Sequence, residues 1–252
     1  MNSSIKSVET SPQLYARTGG VLYLITIIVG IFNEAFVKGS IVVSGDATAT
    51  AANLRSMESL WRFGIAGEML MIICTVALTL ILYVLLRPVN KDLAMLAAFF
   101  SLVATAVDSA YSLQLVEALF PLGNATYLKA FTPEQLYAMA SMSLKSHIIG
   151  FGISLLIFGP FFLVTGHLIF RSTYLPRAIG ILYQIGGLAY MVNGFVLVLA
   201  PGLAGQIFSI IVIPAFVGET SFCLWLIVKG VNVEKWNAKI GAHHGEMESH
   251  YA

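Results

Sequence analysis

The chain has 252 residues, of which 58% are apolar and 11% are charged, and its mean hydropathy is +0.83. Soluble domains contain roughly 45–50% apolar and about 25% charged residues, so this composition excludes a water-soluble globule. Disordered chains, coiled coils and nucleic-acid-binding domains carry far more charge, and a formal net charge of +1 indicates no nucleic-acid partner. The composition therefore predicts an integral membrane protein whose partner is the lipid bilayer.

The first long apolar run begins after a polar segment, residues 1–18. A secretory signal peptide has a short apolar core followed by a small-residue cleavage site, whereas this run is followed by Asn33, Glu34 and Lys38. We therefore interpret the run as a retained first membrane span.

Six apolar segments are long enough to cross a membrane, because a helix needs about 20 mainly apolar residues to span the hydrocarbon layer. No residue between 178 and 217 is charged, and this stretch is too long for one span, so Pro201-Gly202 supplies a break. Lipid cannot hydrogen-bond the backbone, so the segments predict an all-α fold, a bundle of six transmembrane helices. The predicted spans are 19–37, 61–86, 93–119, 147–170, 177–200 and 206–229.

Lys and Arg residues are distributed unevenly over the two sides of this bundle. Nine lie in the N-terminal segment, two short turns and the C-terminal tail: Lys6, Arg17, Arg87, Lys91, Arg171, Arg177, Lys229, Lys235 and Lys239. Five lie on the opposite side: Lys38, Arg55, Arg62, Lys129 and Lys145. By the positive-inside rule both termini are cytoplasmic, which predicts a multi-pass protein of the cytoplasmic (inner) membrane. Its predicted parts are a cytoplasmic segment 1–18, a membrane domain 19–230 and a polar cytoplasmic tail 231–252.

Two loops on the outer side are long enough to contain short helices. Asp46 precedes an alanine- and threonine-rich segment and is typical of a helix start. Thr132 followed by Pro133 predicts a second start, with proline at the first helical position.

Glycines recur at heptad spacing along the fourth and fifth predicted spans. The two sets are Gly152, Gly159 and Gly166, and Gly180, Gly187 and Gly194. Small residues allow helices in lipid to approach closely, and the connection 171–176 is short. We therefore predict an antiparallel hairpin in which the two glycine stripes are in contact.

Five ionisable residues fall within the predicted spans: Glu34, Glu68, Asp108, His147 and Glu219. A charge at membrane depth costs about 3 kcal/mol on insertion scales, so such residues usually face the bundle interior. Most of the five lie in the predicted outer half of the membrane, and Glu219 lies nearer the middle. Their similar depth predicts one shared polar site that binds a proton, a cation or a small polar ligand.

Polar residues at helical spacing support this site. They form three stripes: Glu68, Thr75 and Thr79; Ser101, Thr105, Asp108 and Ser112; and Ser143, His147, Gly150 and Ser154. Members of one stripe lie on one helix face, and three polar faces are most easily satisfied when they face one another.

Other interpretations of these residues remain open. Glu34 is four residues before Lys38, a spacing that favours a surface ion pair between the two side chains. This interpretation explains Glu34 as well as a role in the polar site does. Arg62 and Lys145 lie near the outer boundary, where they would neutralise the acidic residues in a purely structural ion-pair network.

The sequence gives little support for metal or cofactor chemistry. A zinc site needs about three protein ligands, and His147, Asp108 and Glu68 would be the ligands of any metal site, but there is no His-Glu-x-x-His pair. The chain also lacks a nucleophile elbow, a phosphate loop and a dinucleotide fingerprint, so no catalytic residue and no cofactor is assigned.

Four segments resemble an uncharacterised bacterial membrane family, domain of unknown function 4386. They are 20–24 (GVLYL), 85–90 (LLRPVN), 168–177 (LIFRSTYLPR) and 214–219 (PAFVGE). The resemblance covers about residues 15–231 and implies a six-span inner-membrane protein, with acidic positions like Glu34, Glu68 and Glu219. It implies no established activity, substrate or cofactor.

The leading functional hypothesis is a carrier or sensor whose buried acidic and histidine site binds a proton, a cation or a small polar ligand. The two halves share no alignable motif, so an inverted-repeat carrier is not supported. One alternative is an intramembrane enzyme acting on a lipid or quinone, with His147 and Asp108 as acid–base groups or metal ligands. Another is a structural or assembly subunit whose buried charges fix the register of the helices.

Overall fold

The computed structural model describes residues 11–250, and these residues contain helices and no strand. Six of the helices are long and apolar enough to cross a membrane, which confirms the predicted all-α, six-span fold. The bounds are α1 Pro12–Ile31, α2 Gly39–Ile41, α3 Ala47–Ser56, α4 Glu58–Leu86, α5 Lys91–Glu117, α6 Pro133–Arg171, α7 Arg177–Leu199, α8 Pro201–Val228 and α9 Val233–His250. A π-helical segment, Phe32–Lys38, joins α1 to α2 within the first span. Residues 1–10 of the predicted N-terminal segment, with Lys6, and residues 251–252 lie outside the described part.

The predicted helix starts are present. The Asp46 side chain accepts a hydrogen bond from the Ala49 N–H at 2.9 Å at the start of α3. α8 begins at Pro201, within the predicted break and ahead of the predicted sixth span 206–229, because proline is well tolerated at the first helical position, where its missing N–H has no cost. Thr132 forms a capping box ahead of α6, but α6 then continues to Arg171, so the predicted loop helix and fourth span are one helix of 39 residues. The reason is that the intervening residues are mostly strong helix formers with no glycine or proline between them.

The six membrane helices form a closed ring in chain order, in which each packs on the next and α8 packs back on α1. The start of α1 and the end of α8 lie at one end of this ring, where the Gln13 side chain donates a hydrogen bond to the Lys229 carbonyl at 3.0 Å. We call this the terminal end and the opposite end, which carries α2 and α3, the distal end.

The most extensive interface in the ring joins α6 and α7. The glycine stripes face each other there, in the pairs Gly166–Gly180, Gly159–Gly187 and Gly152–Gly194. A Cβ atom at Gly166 would lie 2.5 Å from the Gly180 carbonyl oxygen, so the two backbones are in direct contact. This confirms the predicted hairpin.

Aromatic side chains fill the core between α6, α7 and α8. The Phe162 ring stacks on the Tyr183 ring with 4.6 Å between centroids, and Phe222 meets Tyr183 edge-on at 5.2 Å. Tyr183 is completely buried, so its ring is held in place by packing on both sides. This packing fixes the direction of its hydroxyl group towards α1.

The predicted polar tail contains a helix that docks on the terminal end. Trp236 of α9 is buried, and its indole N–H donates to the Leu85 carbonyl of α4 at 3.1 Å. The Tyr174 hydroxyl donates to the same carbonyl at 2.6 Å, and burial raises the pKa of this hydroxyl far above its usual range. The carbonyls of the last turn of a helix have no partner within the helix, so these two bonds attach α9 and the α6–α7 turn to the end of α4.

Candidate functional site

A cavity of about 330 Å³ occupies the middle of the helix ring, and all six membrane helices contribute to its wall. Its aromatic residues are Tyr23, Phe158, Phe161, Tyr190 and Phe216. Its polar, non-aromatic residues are Thr26, Glu34, Thr75, Thr79, Ser101 and Glu219. Within the described part of the chain, no Lys, Arg or His lines this central cavity.

Glu219 is the carboxylate deepest in the ring. The Tyr190 hydroxyl donates a hydrogen bond to Glu219 Oε1 at 2.6 Å, and Tyr23 lies within hydrogen-bonding reach of the same carboxylate. The Tyr183 hydroxyl donates in turn to the Tyr23 hydroxyl at 2.6 Å. Three phenols from α1 and α7 therefore orient one carboxylate on α8, without a cationic partner among the described residues.

The opposite wall of the central cavity carries hydroxyl groups. Thr79 of α4 and Ser101 of α5 are hydrogen-bonded through their side-chain oxygens at 2.6 Å. This contact confirms that the polar stripes of these two helices face each other. The hydroxyl of Thr75 donates to the Met71 carbonyl of its own helix at 2.8 Å, which leaves its oxygen free to accept a hydrogen bond.

The central cavity opens between α1 and α8. Only three of its lining residues are exposed, and these are Ile31, Glu34 and Phe216, on the end of α1, the π-helical segment and α8. Nearer the terminal end the two helices are in contact, since the Cys223 thiol donates to the Gly20 carbonyl at 3.4 Å. The opening is therefore on the side of the ring, where lipid would lie.

A second polar group, which we call the distal group, consists of Lys38, Glu68, Asp108 and His147. Glu68 and His147 are buried, with 5% and 2% of their surface exposed, and Asp108 is half-buried. Asp108 lies within electrostatic range of both Glu68 and Lys38, and His147 within range of Lys38. The distal group thus combines ionisable side chains from the π-helical segment, α4, α5 and α6.

Aromatic and amide side chains connect the members of the distal group. The Lys38 ammonium lies 5.9 Å from the centre of the Phe151 ring, which stacks on His147 at 6.4 Å. The Asn33 amide donates to Glu68 Oε2 at 3.3 Å and to the Gly64 carbonyl at 3.1 Å. The π-helical segment therefore supplies both the amide and the ammonium group that face the acidic side chains.

Several buried polar atoms of this region have no hydrogen-bond partner in the described structure. They include Asp108 Oδ1, His147 Nε2 and Asn33 Oδ1. Asp108 also lines a small cavity of about 90 Å³ together with Thr105 and Ser154. Buried polar groups are usually paired, so these atoms have a hydrogen-bonding capacity that the described residues do not use.

The five predicted site residues occupy two places rather than one. Glu68, Asp108 and His147 belong to the distal group, whereas Glu219 belongs to the central cavity. This differs from the expected shared pocket because closure of the ring turns Glu219 towards α1 and α7. Glu34 has an exposed side chain, lines the opening of the central cavity and forms an ion pair with Lys38.

The basic residue near the buried acidic side chains is not one of the two that the sequence predicted. Arg62 forms an ion pair with Glu58 at 2.7 Å, and Lys145 is exposed. Lys38 is instead the ammonium group near Asp108 and His147. Its position depends on the π-helical turn, which sequence spacing did not indicate.

No group of three or more His, Cys, Asp and Glu side chains that could hold a metal ion occurs among the described residues. His147, Asp108 and Glu68 therefore do not form a compact set of metal ligands.

Sequence reasoning missed the tyrosines that hold Glu219. Tyr183 and Tyr190 are seven residues apart and lie on one face of α7, but the candidate site residues were chosen only among Asp, Glu and His within the spans. Each also carries a hydroxyl group that needs a partner when buried. A search for buried hydrogen-bond donors, in addition to charged residues, would have found them.

Comparisons with other proteins identify the family but no activity. A family model described as "Domain of unknown function (DUF4386)" matches residues 18–230. An uncharacterized protein of Archaeoglobus fulgidus is 30% identical over 168 residues, which cover 67% of this chain and 84% of that protein. No solved structure matches the chain. The match covers most of the first membrane helix and all of the other five, and the chain therefore belongs to the DUF4386 family.

Proposed function

We propose that the protein is a carrier or sensor that binds a small organic cation in the central cavity. The observation that supports this proposal is the Glu219 carboxylate, which Tyr190 orients at 2.6 Å inside a largely aromatic cavity. No basic side chain of the described lining competes for this carboxylate.

The chemistry of the cavity fits an organic cation better than an anion or a neutral polar molecule. Aromatic faces attract cations, most strongly where water is excluded, and a carboxylate adds a full negative charge. The volume of about 330 Å³ lies at the lower end of the range for small-molecule sites. An anion would meet two carboxylates, Glu34 and Glu219, with one ammonium group, Lys38, bonded to Glu34.

The side opening gives such a ligand a path from the bilayer. Ile31 and Phe216 make the opening apolar, so a cation with an apolar body would pass between α1 and α8 while remaining in lipid. We also propose that the terminal end is cytoplasmic and that the protein lies in the inner membrane, as the distribution of Lys and Arg favours.

We assign the distal group a supporting role in the same function, as a place where a proton or small cation binds. Its small cavity and the central cavity share Met71, Thr75, Leu155 and Phe158 as common walls. Binding of a proton or small cation at Asp108 would therefore change the shape of the central cavity through these shared side chains.

Glu219→Gln is expected to weaken cation binding about tenfold or more, because an interaction with a charged group contributes roughly 1.5–3 kcal/mol. Glutamine keeps the shape of the side chain and still accepts the Tyr190 hydrogen bond. Binding is measured by calorimetry on detergent-purified protein with benzyltrimethylammonium as the probe. Neopentylbenzene, which has the same shape without the charge, should bind the wild-type protein and the variant equally.

Glu117→Gln is the matched control, because Glu117 also lies in a membrane helix but does not line the central cavity. This variant should bind the cation as the wild-type protein does. Absence of cation binding to the wild-type protein, or equal binding to Glu219→Gln, would contradict the proposal.

A further inference from the structure

A separate cavity of about 320 Å³ lies at the terminal end, where α6 ends, α5 begins and α9 docks. Its charged or titratable lining residues are His167, Arg171 and Lys239, and the described lining contains no acidic residue. The cavity shares no lining residue with the central cavity or with the small cavity at Asp108. We call it the terminal cavity.

The two permanent cations of the terminal cavity form no ion pair with a described side chain. The ion pairs of the described residues are Lys38–Glu34 and Arg62–Glu58, so neither Arg171 nor Lys239 has an acidic partner there. Nearby Arg177 differs, because its guanidinium lies 5.5 Å from the centre of the Phe170 ring and outside the cavity wall. Positive charge is therefore concentrated on one side of a concave surface.

The start of α5 adds backbone donors to this surface. Asn90 lines the terminal cavity and caps α5 by accepting the Leu93 N–H at 2.9 Å. The other N–H groups of the first turn have no carbonyl partner within the helix, and the helix dipole makes this end electropositive. An anion in the cavity would thus meet side-chain cations and the N-terminal end of a 27-residue helix, whose first turn also carries the exposed Lys91 and Asp92 outside the cavity wall.

The docking of α9 fixes the third side of the cavity. Lys239 is three residues after Trp236, whose buried indole is bonded to the Leu85 carbonyl. Residues three apart lie close together on one helix surface, so the anchored Trp236 determines where Lys239 is placed.

We propose that the terminal cavity binds a phosphate group, carried either by the headgroup of an anionic phospholipid or by a soluble phosphorylated molecule. Arg171 provides the planar fork of donors that matches phosphate oxygens, while Lys239 and His167 add charge and a further donor. The apolar side chains of Leu93 and Leu168 in the same wall would contact the carbon part of the ligand. This site does not depend on cation binding in the central cavity.

The test compares two phosphate sources on the full-length protein. The melting temperature is measured in nanodiscs of phosphatidylcholine with and without phosphatidylglycerol, and in detergent with inorganic phosphate or chloride at equal ionic strength. We expect at least one phosphate source to raise the melting temperature of the wild-type protein. Arg171→Gln and Lys239→Gln should each weaken the apparent affinity for that phosphate source about tenfold or more. Stabilisation by phosphatidylglycerol alone identifies a lipid headgroup, and stabilisation by inorganic phosphate identifies a soluble source.

Matched controls remove the same charge from the same end without touching the cavity. These are Arg177→Gln for Arg171 and Lys235→Gln for Lys239, and both should keep the affinity of the wild-type protein. The proposal is overturned if neither phosphate source stabilises the wild-type protein. It is equally overturned if the control variants lose as much affinity as the cavity variants, since the effect would then be general surface charge.

Discussion

Gly166→Ala is expected to lower the free energy of unfolding by about 1–3 kcal/mol, the usual cost of forcing additional atoms into a packed interface. The new Cβ would lie 2.5 Å from the Gly180 carbonyl oxygen and 3.0 Å from the Gln184 backbone nitrogen. Both are backbone atoms, so α6 and α7 would have to separate. Unfolding in mixed micelles with increasing dodecyl sulfate measures this loss.

Gly205→Ala provides the control for that experiment. A Cβ at Gly205 meets no other atom within 4 Å, so alanine there should leave stability unchanged or raise it by up to about 1 kcal/mol. Equal unfolding of Gly166→Ala and the wild-type protein would show that the two helices are not in direct backbone contact.

Lys38→Met is expected to destabilise the protein by on the order of 2 kcal/mol. Removal of one member of a buried ion pair costs about 3–5 kcal/mol, because the remaining charge is left without compensation. We expect less here because Lys38 acts on Asp108 only at a distance and forms its ion pair with the exposed Glu34, and because the Lys38 side chain keeps 22% of its surface exposed. The same unfolding assay measures this change. The double variant Lys38→Met with Asp108→Asn should recover part of the lost free energy of unfolding, since it also removes an acidic group on which Lys38 acts.

Glu34→Gln separates this effect from the ion pair on the protein surface. Glu34 is 61% exposed, and exposed ion pairs four residues apart contribute only about 0.3–0.5 kcal/mol. If Lys38→Met destabilises no more than Glu34→Gln, then Lys38 acts only on its neighbour in the helix and not on the distal group.

The distal group has consequences for function as well as for stability. If the distal group is only a structural ion-pair network, the Lys38→Met variant should unfold more easily than the wild-type protein. Once folded, it should bind the organic cation as tightly as the wild-type protein does. The proposed supporting role predicts in addition an altered affinity, because the cavity at Asp108 and the central cavity have walls in common. Measuring stability and affinity on one preparation distinguishes these two roles.

Composition and local residue patterns were sufficient to predict the class of protein, the six spans and the pairing of α6 with α7. Transfer of a segment into lipid depends on its own composition and length, so apolar runs and the break at Pro201 could be read directly. The glycine stripes could also be read, because a short connection forces the two spans to be neighbours. The polar faces of α4 and α5 were predicted to meet because polar faces in lipid are most easily satisfied by one another, and the Thr79–Ser101 hydrogen bond joins them.

Which polar groups share a site depends instead on how distant helices pack together. Closure of the ring brings α8 against α1, which are about 200 residues apart in the chain, and this turns Glu219 towards Tyr23 and Tyr190 instead of Asp108. The π-helical turn rotates Lys38 towards the distal group, and docking of α9 on Leu85 completes the terminal cavity. Each of these depends on the rotation of one helix relative to distant ones, which is set by packing over the whole ring and not by any local pattern of residues.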